Sequence, residues 1–275
     1  MKKNNLLRAV ALFPFLIWII LLIVVPVILI AYYGLTNADG VFSLDNFRQF
    51  FQPNYLRVFG RSLYLALLAT VICLLVGYPI AMILAGNTFK RKTLLVVLLI
   101  APMWMNFLLR TYAWLTLLEG NGVFNTILQS LGLPKQAFLG NVNAVVFGMV
   151  YNFLPYMIFP IYTSISKIPK NIIEAAKDLG GGNVICFFRI ILPLSVPGIL
   201  SGVTMVFVPG VTTFVISQFL GSGKITLIGD IIEQQFMHAG NWGFGAAISI
   251  IVMIAVVLCM WLVNRFSDDS EVIMP

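Results

Sequence analysis

Charge is scarce in this 275-residue chain: Lys, Arg, Asp and Glu make up 10% of it, against a hydrophobic share of 60%. Soluble domains carry about a quarter charged residues, so there is too little charge here to cover a water-facing surface. Together with a mean hydropathy of +0.98, this excludes a soluble globular protein and makes lipid the solvent for most of the chain. Histidine is nearly absent, His238 being the only one, which rules out a His-rich metal cluster within the chain. The three cysteines, Cys73, Cys186 and Cys259, are far apart, odd in number and without metal-ligand spacing. Neither a disulfide framework nor a metal site is expected from them. No nucleophile–base pair stands out, so no catalytic residues are expected and an enzyme is the weakest of the readings.

What the chain does have is length in its apolar runs. Six stand out, at 9–33, 62–85, 94–118, 143–164, 196–219 and 243–264, each close to the roughly 20 residues that a spanning helix takes. They use nearly all of 1–275, so one all-α transmembrane domain of six helices is expected. The first run follows Lys2, Lys3 and Arg8 but is too long for a signal peptide, and Ala31-Tyr32-Tyr33 is no small-residue cleavage site. It is read as an anchor. Lys and Arg concentrate on one side. With the N-terminus inside, Lys2, Lys3, Arg8, Lys90, Arg91, Lys92, Lys167, Lys170, Lys177, Arg189 and Arg265 face the cytoplasm, and Arg48, Arg57, Arg61, Lys135 and Lys224 face outward. The net charge of +7 is therefore a topogenic signal rather than a nucleic-acid footprint, and both termini are expected in the cytoplasm. Prolines at 14, 26, 79, 102, 155, 160, 193, 197 and 209 fall within or beside the runs, where they kink helices.

Among the loops, 34–61 is polar and its Asp45-Asn46-Phe47 opens a short amphipathic segment. Loop 86–93 is a tight basic turn. The stretch 166–195 is neither span nor linker. It reads as a short helix, a break and a second short helix. Asn171 with Glu174 forms an N-terminal capping pattern. Ile172, Ala175, Ala176 and Leu179 share one face opposite Glu174, Lys177 and Asp178. Gly180-Gly181-Gly182 ends the first helix, and Pro193 and Pro197 mark the turn back into the membrane. The segment Gly221-Ser222-Gly223-Lys224-Ile225-Thr226 only imitates a phosphate-binding loop, with Gln218 where the first glycine belongs and Ile225 where Ser or Thr belongs.

The order Glu174, Ala175, Ala176, then Gly180, then Ile190, Leu192 and Pro193 resembles the coupling loop of the permeases of ATP-driven, binding-protein-dependent importers, whose pattern is E-A-A-x3-G-x9-I-x-L-P. All seven fixed positions match. The resemblance implies a MetI-like fold in which 171–193 docks on a separate cytoplasmic ATPase, with ATP and Mg bound by that partner and no cofactor bound by this chain. The coupling segment is bounded at 166–195. The likeness extends to Gly77-Tyr78-Pro79, to Pro102-Met103-Trp104-Met105-Asn106 with Arg110 and Tyr112, and to Leu227-Ile228-Gly229-Asp230 through Asn241-Trp242-Gly243-Phe244-Gly245-Ala246. These runs are similar to the spermidine/putrescine permeases of the PotB type. That implies a second permease (PotC-type), two ATPase subunits (PotA-type) and an extracytoplasmic polyamine-binding protein (PotD-type), all working around a lipid-embedded subunit.

A polyamine wants carboxylates for its ammonium groups and aromatic faces for its methylenes. Trp104, Asn106, Tyr112, Tyr151, Thr213 and Gln218 are the candidate pathway residues within the spans, with Trp114, Tyr156 and Ser217 nearby. Glu119, Asp230 and Glu233 are outer acids that receive the cation. Arg110 repels a polycation. It is expected to pair with Glu119 or Glu233, or to line the cavity wall, as a structural part of the gate. Two alternatives stay open: the same machine with another small organic or cationic cargo, and an ion-coupled secondary transporter.

Overall fold

The computed structural model describes residues 13–15, 17–37, 40–86 and 92–271. Lys2, Lys3, Arg8, Lys90 and Arg91, which carry part of the charge bias, lie outside them. The chain is helical, in the order α1 (Phe13–Gly34), α2 (Asp45–Phe50), α3 (Pro53–Ala85), α4 (Lys92–Ile100), α5 (Phe107–Leu118), α6 (Val123–Ser130) and α7 (Val142–Ser166). There follow α8 (Lys170–Asp178), α9 (Asn183–Thr212), α10 (Val215–Leu220), α11 (Ile228–Met237) and α12 (Trp242–Glu271). Helices α1, α3, α7, α9 and α12 are long and apolar enough to cross a membrane. The pair Leu94–Trp104 and Phe107–Ser130, bent by 90°, makes a sixth crossing if the two halves count as one broken span.

That bend goes beyond the kink expected at Pro102 and divides the run 94–118 into two helices. After α4 the chain tightens into a 3₁₀ turn at Ala101–Trp104. Met105 and Asn106 are extended, and Asn106 then caps α5 by accepting from the amides of Leu108 and Leu109. A carboxamide at an N-cap satisfies donors that a continuous helix would have bonded internally, so Asn106 starts a helix where hydropathy shows no interruption.

The fifth crossing also differs. It begins at Asn183 and ends at Thr212, so the second short helix expected before Pro193 is the first stretch of one long helix. Residues Phe187–Ile191 form a π turn directly before Pro193, and Ile20–Val24 form another just before Pro26. Hydrogen bonding to the fifth residue back makes room for a ring that would clash with the carbonyl four residues back. Pro193 and Pro197 are therefore carried inside the helix and mark no turn.

Two compact units are present, one of residues up to Leu56 with Ile231–Ala255, the other of Arg57–Asp230 with residues from Val256 onward. In the first, Gly34 admits Ile250 and Ala247 of α12, and Gly243 admits Asn46 and the Tyr33 carbonyl. Phe244 is buried edge-on to Tyr55 at 4.9 Å, and Trp242 lies 5.9 Å from both Tyr33 and Phe236. In the second, α7 forms the centre, with Val145, Met149, Asn152, Met157, Ile158 and Ile161 fully buried. Glycines bring its neighbours close: Gly77 of α3 meets Met157 and Ile158, and Gly198 and Gly202 of α9 meet Pro160, Ser164 and Met157. Small residues four apart are how membrane helices approach backbone to backbone.

Candidate functional site

Helix α8 stands out at one end of the second unit. Pro169, with φ near −61°, precedes it and makes no side-chain cap, and the Ile172 amide bonds the Pro169 carbonyl. The helix thus starts before Asn171, and the capping role expected of Asn171 and Glu174 is not made. Proline presets the backbone for a helix start, which is why the side-chain cap is dispensable. Glu174 is exposed, and no hydrogen bond or ion pair is seen for it among the described residues. The expected face divides. Ala176 is half-buried, while Ile172, Ala175 and Leu179 are exposed, Leu179 at 90%.

The end of α8 is as the glycine run led us to expect. Gly180 has φ +82°, its amide bonds Lys177, and the amide of Gly181 bonds Ala176. This pair of bonds is a Schellman closure, which needs a residue in the left-handed conformation at that position. After it the chain enters α9 directly. Tyr78 of α3 holds the base of α9, its hydroxyl 2.8 Å from Ser195 Oγ and its ring edge-on to Phe187 at 5.7 Å.

At the bent span the second unit carries a cleft of about 410 Å³, lined among others by Met103, Met105, Phe107, Arg110, Phe153, Tyr156, Thr213 and Phe214. Arg110 is 4% exposed. Its Nε donates to Asn152 Oδ1 at 2.8 Å and its Nη1 to the Pro102 carbonyl at 2.7 Å. Asn152 in turn donates to Thr111 and to the Gly148 carbonyl. Arg110 therefore braces the break in the span against α7 and finds neutral partners in place of an acid. The Pro102 carbonyl also accepts the Met105 amide that closes the 3₁₀ turn, so Arg110 takes its second lone pair, at the cost of its own desolvation.

The candidate pathway residues are scattered. Thr213 lines the cleft as the extended residue ending α9, and Tyr156 lines it from α7. Trp104 is 80% exposed, and Tyr112 is exposed with its ring edge-on to Phe219 at 6.0 Å. Tyr151 packs on Trp114 at 5.1 Å and lies under the Arg110 guanidinium. Trp114 is absorbed into a packed cluster with Phe124 and Phe147. Gln218 is exposed on α10 and Asn106 is occupied as a cap. Asp230 is engaged by its own fold: one oxygen accepts from Ser217 Oγ at 2.9 Å, the other from the Leu227 amide at 2.6 Å. Glu233 is half-buried, 3.8 Å from His238 Nδ1. Glu119 is exposed at the end of α5.

Sequence reasoning missed Asn152, Phe107, Phe153 and Phe214. Asn152 carried a usable signal, an amide in the middle of a proline-rich apolar run. The three phenylalanines carried none in a chain with 22 of them.

A kinked bundle of membrane-crossing helices with an exposed, glycine-closed helix and a mostly apolar cleft holding one buried arginine fits a membrane transport component. Residues 77–270 match the family described as binding-protein-dependent transport system inner membrane component, and the chain belongs to that family. It is 39% identical over 264 residues to the spermidine/putrescine transport system permease protein PotB of Escherichia coli, covering 92% of this chain and 96% of that one. The corresponding protein of Haemophilus influenzae is 34% identical, covering 95% and 94%. The fold matches a chain of a bacterial alginate ABC transporter with a TM-score of 0.83 at 17% identity, over 96% of this chain and 95% of that one. This is the MetI-like permease fold.

Proposed function

We propose that this chain is the permease subunit of an ATP-driven importer that takes up polyamines by alternating access. It performs no hydrolysis itself. A separate ATPase pair binds ATP and Mg and drives it through α8, a second permease completes the pathway, and an extracytoplasmic protein delivers spermidine or putrescine. The Lys and Arg distribution supports cytoplasmic termini.

The observation that carries the coupling role is α8 itself. An unpartnered carboxylate, two alanines and an almost fully exposed Leu179 are presented on a helix whose end is fixed by Gly180 and whose continuation is a crossing helix. A free loop would not present so ordered and incomplete a surface. Polyamine as cargo is supported by the relatives' names and by the aromatic rings of Phe107, Phe153, Tyr156 and Phe214 around the cleft. Such rings attract ammonium groups weakly enough to release them.

The test is uptake of labelled spermidine in cells lacking the chain, before and after its restoration, with putrescine and a neutral solute as competitors. Restored uptake blocked only by polyamines is expected. Unchanged uptake on deletion, in a strain without another polyamine importer, would remove the polyamine from the reading.

A further inference from the structure

Beside α8 the second unit holds a cavity of about 620 Å³, larger than the cleft at Arg110. It is a groove between the last turns of α7 and the middle of α9. Its floor is the close contact at Gly198, where α9 meets Pro160 and Ser164 of α7. Phe159 and Lys167 lie eight residues apart along one wall, about 12 Å of helix. Leu194 and Met205 lie eleven apart along the other, about 16 Å. The hydrocarbon core of a bilayer is about 30 Å thick, so the groove is one leaflet deep.

Its chemistry is graded along that depth. Phe159 and Met205 line one end and are exposed on crossing helices, so this end opens to lipid. Lys167, Pro169 and Ile172 line the other, where α7 passes into α8. Lys167 is the one charged residue of the lining, and its ammonium makes no hydrogen bond or ion pair among the described residues. The hydroxyls of Thr163, Ser164 and Ser201 already donate to the carbonyls of Phe159, Leu194 and Pro197, which leaves Lys167 as the side-chain donor. A convex helix face meets whichever lipid passes, whereas a recess with a cation at its water end selects one kind.

We propose that this groove binds one anionic phospholipid of the cytoplasmic leaflet, its phosphate on Lys167 and an acyl chain laid over Gly198 toward Met205. The bound lipid touches α7, α8 and α9 at once, because Pro169 and Ile172 share the lining with Leu194 and Pro197. It ties the start of α8 to both crossings. The site does not depend on the importer reading, and its test needs no cargo.

The experiment uses the full chain, purified alone and with the subunits that come with it from the membrane, and counts retained lipids by native mass spectrometry. Phosphatidylglycerol and phosphatidylcholine of equal chain length are offered in turn. One phosphatidylglycerol per chain is expected, with phosphatidylcholine held about five-fold less tightly, the share of one lysine facing an anionic headgroup. Lys167→Gln should erase that preference and keep the weaker binding. Ser201→Trp, an exposed position on the groove wall, should expel both lipids. Arg189→Gln removes an exposed cation outside the groove and should change neither. Equal retention of the two lipids by the wild type would overturn the proposal, as would unchanged retention in a folded Ser201→Trp chain. Equal losses in Lys167→Gln and Arg189→Gln would reduce it to the general attraction of a basic surface and overturn it too. Release of phosphatidylglycerol by inorganic phosphate at constant ionic strength would make this a free-anion site, and retention by the isolated chain but not by the complex would give the groove to a neighbouring subunit. Either result overturns the lipid site. If Lys167→Gln does not fold, the two-lipid comparison and Ser201→Trp decide.

Discussion

Replacing Gly198 by alanine tests whether α7 and α9 work as one piece. A Cβ there would lie 2.6 Å from Ser164 Cβ, 2.7 Å from the Pro160 carbonyl oxygen and 3.1 Å from Ile161 Cα. Ordinary carbon contacts are about 3.5–4.0 Å, and none of these three atoms moves by a change of rotamer, so the helices must separate by roughly 1 Å. Overpacking of this kind costs about 1–3 kcal/mol. Alanine in a helix interior recovers about 0.5–1 kcal/mol over glycine, leaving a net loss of up to about 2.5 kcal/mol, toward the upper end because two of the three contacts are with backbone. At Gly202 the worst contact is Met157 Sδ at 2.7 Å, the far end of a flexible side chain, with backbone at 3.1 Å and 3.3 Å. The two effects there nearly cancel. At Gly60 in α3 nothing lies within 4 Å, and alanine should stabilise by about 0.5–1 kcal/mol. The assay is the thermal unfolding midpoint of the purified chain in one detergent. Gly60→Ala should lie above the wild type, Gly202→Ala beside it and Gly198→Ala lowest. Uptake should fall only for Gly198→Ala, because α7 and α9 hold α8 between them. A midpoint for Gly198→Ala at or above that of Gly202→Ala would refute the reasoning.

Gly180→Val forces a β-branched residue to φ +82° and should open the end of α8, abolishing uptake while membrane insertion is normal. Gly182→Ala, with φ −64° and open space around it, should transport as the wild type does, and equal loss in both would show that the closure is irrelevant. Asp230→Ala removes the acceptor for Ser217 and Leu227 and should lower the unfolding midpoint, at a cost of about 1–3 kcal/mol for the donors left unpaired. The apparent KM for cargo in the surviving protein should stay unchanged, and a raised KM with normal stability would return Asp230 to the pathway. Tyr78→Phe breaks the hydroxyl pair with Ser195, worth about 1 kcal/mol, and should reduce uptake at unchanged expression. Full uptake would release α3 from the coupling path.

The crossings were legible because a bilayer demands about 20 apolar residues and the composition leaves nothing else for them to be. Their interruptions were not. The run 94–118 has no charge before Arg110 and no glycine, so only Pro102 and Asn106 hinted at the 90° bend, and either also fits a continuous helix. The run before 196 looked like loop because Asn183 and Arg189 dilute its hydropathy, yet helical bonding is indifferent to that dilution and the π turn accommodates Pro193. The closure of α8 was readable because glycine at a left-handed position is a local requirement. Its start was misread because Pro169 replaced a side-chain cap by a backbone one. Partners across helices were the least accessible. Arg110 and Asn152 are 42 residues apart, and the face shared by Asn106, Arg110 and Trp114 says nothing about which helix lies opposite.

If α8 is the coupling helix proposed above, those cross-helix partners supply a path from it to the cleft. Helix α9 runs for 30 residues from the turn that closes α8 to Thr212, about 45 Å at 1.5 Å per residue. Tyr78 clasps its base, Gly198 and Gly202 seat it on α7, and its end supplies Thr212 and Thr213 to the cleft wall. Close-packed helices pass on displacement instead of absorbing it. On the coupling role proposed for α8, movement entering there would leave at Thr213, on the cleft that Arg110 also lines. Pro197 and Pro209 are the points within α9 where the missing donors let it bend. Gly229 packs against the Thr212 and Thr213 carbonyls, so the loop that Asp230 caps is tied to the same end of α9. Leu227-Ile228-Gly229-Asp230 thus has a structural part to play at the end of α9, through the Gly229 contact and the Asp230 bonds.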